Sequence, residues 1–293
     1  MGQNTYIPDV SNAKSIIPFI KSAYSSLSPA EQKVASYVVD HLPEIIYQSI
    51  TELADICEVG ESTVIRFCRS IGFKGYHEFK LVASRDISSL GDAGPQGDIT
   101  PEDSLLTMVQ KTTRANMEVI SQTAELLSID ELRKAVDAIV RARRVHFYGV
   151  GASGFTAEDA KYKFLRIGIL CDAYNDSHLQ AMAAATLEHG DVAVGFSQTG
   201  STIDVIHSLE VAKKRGATII CITSAAKSPI TRVSDIRLIT ATREAPLQSG
   251  NLKSKIAQLH VMDILFIGVM MANHERAVST VKATAEAVSD KLY

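Results

Sequence analysis

The chain lacks a run of eighteen uncharged apolar residues; its longest candidate, Ile264 to Ala272, is far too short to span a bilayer, so no membrane partner is expected. It shows no basic N-terminal segment leading into an apolar stretch and a small-residue cleavage site, and the expected location is cytoplasmic. Cysteine is scarce: Cys57, Cys68, Cys171 and Cys221 form no CxxC pair, and each sits in an apolar stretch. They read as free buried thiols. Closely spaced zinc ligands are missing, so neither a metal nor another cofactor is expected. Proline is modest and glycine is scattered without period, which excludes fibrous and low-complexity classes. A basic excess is missing too: the formal net charge is -3. Nucleic-acid binding needs a basic face, not a basic chain. Residues 61–90 do concentrate Arg66, Arg69, Lys74, Lys80 and Arg85 against Glu61, Glu78 and Asp86.

What the chain has is length and apolar content. Its 293 residues, 46% of them apolar, are comfortable for two domains. The stretch SSLGDAGPQGDITP offers little to bury and reads as a linker. The expected division is 1–87, linker 88–102, and 103–293 with a core at about 130–270. The first part reads as all helix. The second begins with helical stretches at 103–127 and 129–142, then alternates strand and helix. Strands are expected at Val145–Val150, Ile169–Tyr174, Val192–Ser197, Thr218–Thr223 and Ile236–Ala241. They are short and apolar on both faces, as in a parallel sheet covered by helices. Helices are expected from Leu252 to His274 and from Glu275 onward.

In the first domain, Ser28, Pro29 and Glu31 form a capping-box start for a helix striped by Val34, Val38 and Leu42. A second helix follows from about Ser49, and Gly60 lies in the turn before a third beginning ESTVIRFCRS. Leu53, Ala54, Val59, Val64, Ile65, Phe67 and Cys68 are the core candidates. Ser62 and Thr63 stand where helix N–H groups are unpaired, suited to a phosphate or a base edge. Arg66 and Arg69 share a side of the helix, and Lys74, His77 and Lys80 can hold flanking backbone. Glu61 either accepts from cytosine or caps the helix. The run from Ser28 to Lys80 resembles the helix-turn-helix domain of the RpiR/MurR family of bacterial transcription regulators. Its marks are Ile50 to Ala54, Ser62-Thr63, Arg66 to Arg69, Gly72-Phe73, and Gly75-Tyr76 to Phe79-Lys80. The resemblance implies binding of double-stranded operator DNA, usually as part of a dimer reading a palindrome.

In the second domain, Gly149, Gly151, Ser153 and Gly154 form a loop after the first strand. Its glycine spacing invites a dinucleotide reading, for which Asp172 would have to serve as the ribose acid. The loop FSQTGSTIDVI after the third strand discriminates better. Ser197, Thr199, Ser201 and Thr202 surround Gly200 just before a helix, a phosphate nest without a P-loop lysine. The plain alternative is a serine-rich helix cap. These two loops, and above all Ser197-Gln198-Thr199-Gly200-Ser201-Thr202, resemble those of a sugar isomerase (SIS) domain. The whole then reads as an all-α helix-turn-helix domain joined to an α/β SIS domain with a five-stranded parallel sheet, a three-layer αβα, flavodoxin-like fold. The resemblance implies a phosphorylated sugar bound with its phosphate at this loop. Gly151 and Ser153 would approach it from the first loop, Gln198 and Gly200 would belong to the second, and Ser254 and Lys255 would stand near the same pocket.

SIS domains also occur in sugar-phosphate isomerases and related lyases, which is the alternative function. Such chemistry needs a placed base. Glu188 and His189 fall at the wrong end of the sheet, Glu244 sits in a loop, and His260 lies in an amphipathic helix. No pair tuned for proton abstraction stands out, so no catalytic residue is expected. The expected role is a regulator of carbohydrate-metabolism genes, a homodimer or homotetramer, controlled by a sugar phosphate or phosphorylated sugar acid. Arg243 and Lys255 would favour an acidic sugar if they face the pocket.

Overall fold

The structure, a computed structural model, describes residues 16–89, 99–241 and 252–291. Most of the expected linker, together with Arg243 and Glu244, lies outside the described residues. The chain divides into two compact units, with the boundary between Thr112 and Thr113.

The first unit is helical: α1 (Ile17–Ala23), α2 (Pro29–Asp40), α3 (Leu42–Ile45), α4 (Ile50–Ile56), α5 (Glu61–Ser70) and α6 (Tyr76–Ser89). Two capping boxes start its helices. Glu31 accepts from Ser28 N at 2.9 Å at the head of α2, as the sequence indicated. Ser49 and Glu52 repeat the device at α4, with bonds of 2.8 and 3.1 Å. Each cap contributes about 1 kcal/mol. Val34, Val38, Leu53, Val64, Phe67 and Phe79 fill a single core. The turn between α4 and α5 differs from expectation at one residue. Glu58 takes the left-handed conformation, at φ 55°, whereas Gly60 is extended at φ -80° and caps α5. The chain reverses at Glu58, so Gly60 supplies no special backbone freedom.

Helix α7 (Leu105–Leu126) crosses the boundary between the units, and the second unit then runs α8 (Ile129–Arg141), β1 (Val145–Tyr148), α9 (Ala152–Arg166), β2 (Cys171–Tyr174), α10 (Ser177–Ala185), β3 (Val192–Phe196), α11 (Ile203–Lys214), β4 (Thr218–Thr223), α12 (Pro229–Val233), β5 (Ile236–Ile239), α13 (Leu252–Ala272) and α14 (His274–Glu286). All five strands lie within the expected segments and are parallel, in the order β2-β1-β3-β4-β5. Side chains alternate between two cores, as the two-residue strand period demands. Phe147, Val194, Phe196, Ile220 and Ile222 meet α9 and α13 on one face. Tyr148, Ala193, Ile219 and Cys221 meet α10 and α11 on the other. This is the three-layer αβα, flavodoxin-like arrangement.

At the N-terminal end of the sheet, the buried Asp191 carboxylate joins β3 to β1 through Arg143 and Arg144, each at 3.1 Å. Helix α13 departs from the sequence reading in one respect. With 21 residues and a window hydropathy of 1.5, it is long and apolar enough to cross a membrane by length and composition. Counting uncharged runs missed it because Lys253, Lys255 and Asp263 interrupt the segment. Its Ala257, Val261, Met262, Leu265 and Val269 are buried, and it packs against α8 and α9 as a wall of the α/β core.

Candidate functional site

In the first unit, α4, the Glu58 turn and α5 form the helix-turn-helix. Thr63, Val64, Phe67 and Cys68 make the buried face of α5, which leaves Ser62, Arg66 and Arg69 outward. Lys74 and His77 are also exposed. Five expected contact residues therefore share an accessible position. Two do not. The Thr63 side chain is buried, and its hydroxyl accepts from Arg66 Nη2 at 2.9 Å. Thr63 thus holds the arginine instead of standing beside it. Lys80 Nζ donates to the Gln48 carbonyl at 2.9 Å and lies 5.7 Å over the Tyr76 ring. It braces the segment entering α4, because the first turn of α6 packs there and Tyr76 Oη donates to the same carbonyl at 3.2 Å. Glu61 accepts from the Thr51 hydroxyl and ties α5 to α4. The sequence also hid the role of Glu31. It is buried beneath α5 and accepts from Ser70 Oγ at 3.1 Å. The Ser28 hydroxyl holds its carboxyl below the usual range against the opposing effect of burial.

In the second unit, β1 and β3 are neighbours, and their connections leave to opposite faces: β1 to α9, β3 to α11. That divergence opens a crevice at the C-terminal ends of the strands, where open α/β sheets hold ligands. Both candidate loops lie there. In the β3 loop, Ser197 and Thr202 share a hydroxyl bond of 2.8 Å, and Thr202 N points at Ser197 Oγ at 3.4 Å. Gly200 turns at φ 66°, donates to Ser197 O at 3.1 Å and accepts from Ile230 N at 2.9 Å. The Gln198 carbonyl accepts from Ser224 Oγ at 2.9 Å, and its side-chain amide donates to the same oxygen at 3.0 Å. Thr199 is exposed and Ser201 half-buried; Ser201 N donates to Thr199 Oγ1 at 3.3 Å. The loop is thus a cluster of hydroxyls whose turn is closed by the N–H groups of Gly200, Ser201 and Thr202 and which is held from the end of β4. Thr223 and Ser224 bond to the Gln198 carbonyl and Ser228 packs against Gly200, and nothing in their local spacing marks them.

The β1 loop is fixed from both faces of the sheet. Gln180 on α10 is fully buried, and its Nε2 donates to the carbonyls of Gly149 and Tyr174, both at 3.0 Å. Gln258 on α13 donates through Nε2 to Ser153 Oγ at 3.2 Å, while its Oε1 accepts from Thr156 Oγ1 at 3.2 Å. Both glutamines escaped the sequence reading because each sits inside an apolar helix. Ser254 is buried one turn before Gln258 on the same side of α13. Lys255 lies 5.1 Å over the Phe155 ring, next to the same loop. Ser153, Ser254, Lys255 and Gln258 are thereby gathered where α9 meets α13.

The remaining candidates are engaged or distant. Asp172 is the second residue of β2, away from the strand's C-terminal end, and pairs with Lys161 at 2.6 Å. Burial opposes its charge, but Lys161 holds its carboxyl below the usual range. The dinucleotide reading loses its acid there. Glu188 and His189 precede β3, at the end opposite the loops, and Glu188 pairs with Arg143 at 3.1 Å. His260 is half-buried in α13.

Comparison with known proteins agrees with this architecture. Residues 14–90 match the helix-turn-helix domain of the rpiR family, and residues 138–268 match the SIS domain. An HTH-type transcriptional regulator of Caldanaerobacter subterraneus is 38% identical over 94% of this chain and 97% of its own. The Vibrio vulnificus NanR protein, solved in complex with ManNAc-6P, superposes with a TM-score of 0.85 at 28% identity, over 95% of this chain and 99% of that one. The sugar isomerase domain of an RpiR transcription factor from Sphaerobacter thermophilus is 24% identical with a TM-score of 0.56. It covers 61% of this chain and 98% of its own, and it shows the fold of the second unit. The chain belongs to the RpiR family of HTH-type transcriptional regulators.

Proposed function

We propose that the protein controls carbohydrate-metabolism genes by binding operator DNA with α5 and releasing or gripping it in response to a phosphorylated sugar. The observation that carries the reading is the β3 loop. Ser197, Thr199, Ser201 and Thr202 gather four hydroxyls around Gly200, at the mouth of the crevice beside β1. Such a cluster suits a phosphate dianion, whose oxygens accept from backbone and hydroxyl donors alike. The ManNAc-6P complex of NanR supports a sugar 6-phosphate as the ligand class. Gly151, Ser153, Ser254 and Lys255 would face the sugar end, and Gln198 and Gly200 would shape the phosphate end.

On DNA, Ser62, Arg66, Arg69, Lys74 and His77 would make the contacts, with Thr63 and Lys80 placing them. The working domain limits are 1–87 for the DNA-binding head and 103–293 for the sensor, in a cytoplasmic homodimer or homotetramer. Exposed Leu106, Val109, Met117 and Ile120 on α7 support such pairing.

The test is operator binding to DNA from upstream of the protein's own gene and of neighbouring sugar-catabolic genes, across a panel of sugar phosphates that includes ManNAc-6P. A specific, salt-sensitive complex altered by one sugar phosphate is expected, with the response lost on Ser197→Ala and Thr199→Ala. Specific binding that no sugar phosphate changes would sink the sensing half of the reading. Failure to bind any operator would sink the whole.

A further inference from the structure

Ser153 stands at the first turn of α9 and is 9% exposed, with Gln258 as its side-chain partner. The direction of that bond decides what Ser153 offers a ligand. The Gln258 amide faces two hydroxyls. Thr156, fully buried, donates to Oε1 at 3.2 Å, which directs Nε2 toward Ser153 Oγ at 3.2 Å. Ser153 is therefore an acceptor on its protein side. The return contact from Ser153 Oγ to Oε1, at 3.4 Å, is the longest of the three, so Oε1 is the poorer partner for Ser153. A hydroxyl has one proton to give. With an amide donor behind it, Ser153 keeps that proton for an oxygen in front.

We infer that Gln258 is a positioning residue of the effector site, which sets the Ser153 hydroxyl as a hydrogen-bond donor toward an oxygen of the bound sugar phosphate. The inference rests on the proposed reading of the pocket and extends it to a residue inside α13. It also makes the pocket select a hydrogen-bond acceptor at this position, since a ligand donor there would compete with the Gln258 amide for the Ser153 lone pairs and leave the Ser153 proton unused.

The experiment is calorimetric titration of the full chain with ManNAc-6P, glucose 6-phosphate and inorganic phosphate, for the wild type, Ser153→Ala, Gln258→Met and the double variant. For whichever probe the wild type binds best, each single change is expected to weaken binding about tenfold, the effect of one lost hydrogen bond to an anion. The double variant should match the singles, because Gln258 acts through Ser153. A merely structural role would instead multiply the losses and lower the thermal midpoint in proportion. Gln258→Met binding within about twofold of wild type, or a double variant showing the product of the two losses, overturns the inference. If Gln258→Met does not fold, Thr156→Val replaces it. Freed of Thr156, Oε1 turns to Ser153 and takes its proton, and a several-fold loss absent from the Ser153→Ala background is expected; unchanged binding overturns the inference. A wild type that binds none of the three probes overturns the reading of the pocket, and the inference falls with it.

Discussion

Replacing Gly200 by alanine tests the geometry of the β3 loop directly. A Cβ at this position would lie 2.1 Å from Ser228 Oγ and 2.4 Å from Ser228 Cβ. Ser228 cannot swing aside freely: it is fully buried, its hydroxyl donates to Ala225 O at 2.8 Å, and its N–H donates to Thr231 Oγ1 at 3.1 Å. Two costs add. The left-handed backbone, at φ 66°, costs a non-glycine residue about 1–2 kcal/mol. Forcing a methyl group into packed atoms costs about 1–3 kcal/mol more. The α/β domain should therefore lose about 2–5 kcal/mol in denaturant unfolding, read from that domain's own transition because a two-domain chain need not unfold in one step. Relief by moving Gly200 would break its bonds to Ser197 and Ile230, so sugar-phosphate affinity should fall by more than about tenfold. Adding Ser228→Gly removes the clashing atoms and leaves the backbone cost, so a double-mutant cycle should return a coupling of about 1–3 kcal/mol. A Gly200→Ala protein within about 0.5 kcal/mol of wild type, binding its ligand normally, would refute the loop geometry.

Three further outcomes are expected. Glu58→Gly should stabilise the helical head by up to about 1 kcal/mol, by relieving the left-handed residue at φ 55°, and Gly60→Ala should be tolerated because its Cβ would find only Ser62 Oγ at 3.6 Å; thermal midpoints of the head decide, and the reverse order would refute the turn assignment. Burial, aided by the Arg144 charge, pushes the His146 imidazole down to about 4. Between about pH 6.5 and that value the unfolded chain holds a proton that the folded chain refuses, so stability is lost as pH is lowered across this window, by about 3 kcal/mol in all. His146→Gln should flatten that slope, and an imidazole NMR titration near pH 6.5 would contradict it. Burial opposes the Asp191 charge, yet Arg143, Arg144 and the Glu188 N–H hold its pKa below the usual carboxylate value. Its contribution is full above about pH 4 and is lost as pH falls through the depressed value. Asp191→Asn should cost the α/β domain about 2 kcal/mol at pH 7, with a correspondingly weaker acid dependence, measured by urea unfolding at about pH 7 and about pH 3.

The sequence carried most of the architecture because the relevant signals are local. Capping pairs such as Ser28 and Glu31 bond within three residues, and five apolar segments spaced by helical patterns leave few topologies open. The candidate β3 loop stood out because Gly200 and its flanking hydroxyls are contiguous. The rest depends on distance. Thr63 looked like an outward hydroxyl beside Ser62, yet one residue is 100° around a helix, and the rotation sends Thr63 to the core face with Phe67. Lys80 looked like a phosphate contact until the carbonyl of Gln48, 32 residues earlier, claimed its ammonium. Gln258 lies 105 residues from Ser153. A glutamine inside an apolar helix has no local signature that tells a solvated side chain from one bonded across a core. Gly60 was read as the small residue that eases the turn, whereas the bond from Val59 N to Ala54 O closes the turn one step earlier and puts the reversal at Glu58.

The glycine pattern at Gly149, Gly151 and Gly154 shows how one spacing can serve two chemistries. In a dinucleotide site such glycines admit a pyrophosphate, and an acid at the end of the second strand holds the ribose. Here a Cβ on Gly149 would lie 2.4 Å from Ser153 O, so this glycine is required by the approach of the protein's own backbone. That close turn draws Ser153 into the angle between the loop and α13, where Gln258 meets it. The acid that a ribose would need, Asp172, is spent on Lys161 along the strand. On the inferred role of Gln258, the pattern leaves one oriented hydroxyl, that of Ser153, in place of a ribose clamp. A single hydroxyl beside the donor-rich β3 loop suits a small ligand with one phosphate and an oxygen a few bonds away. A nicotinamide dinucleotide would leave its ribose hydroxyls without an acid to hold them.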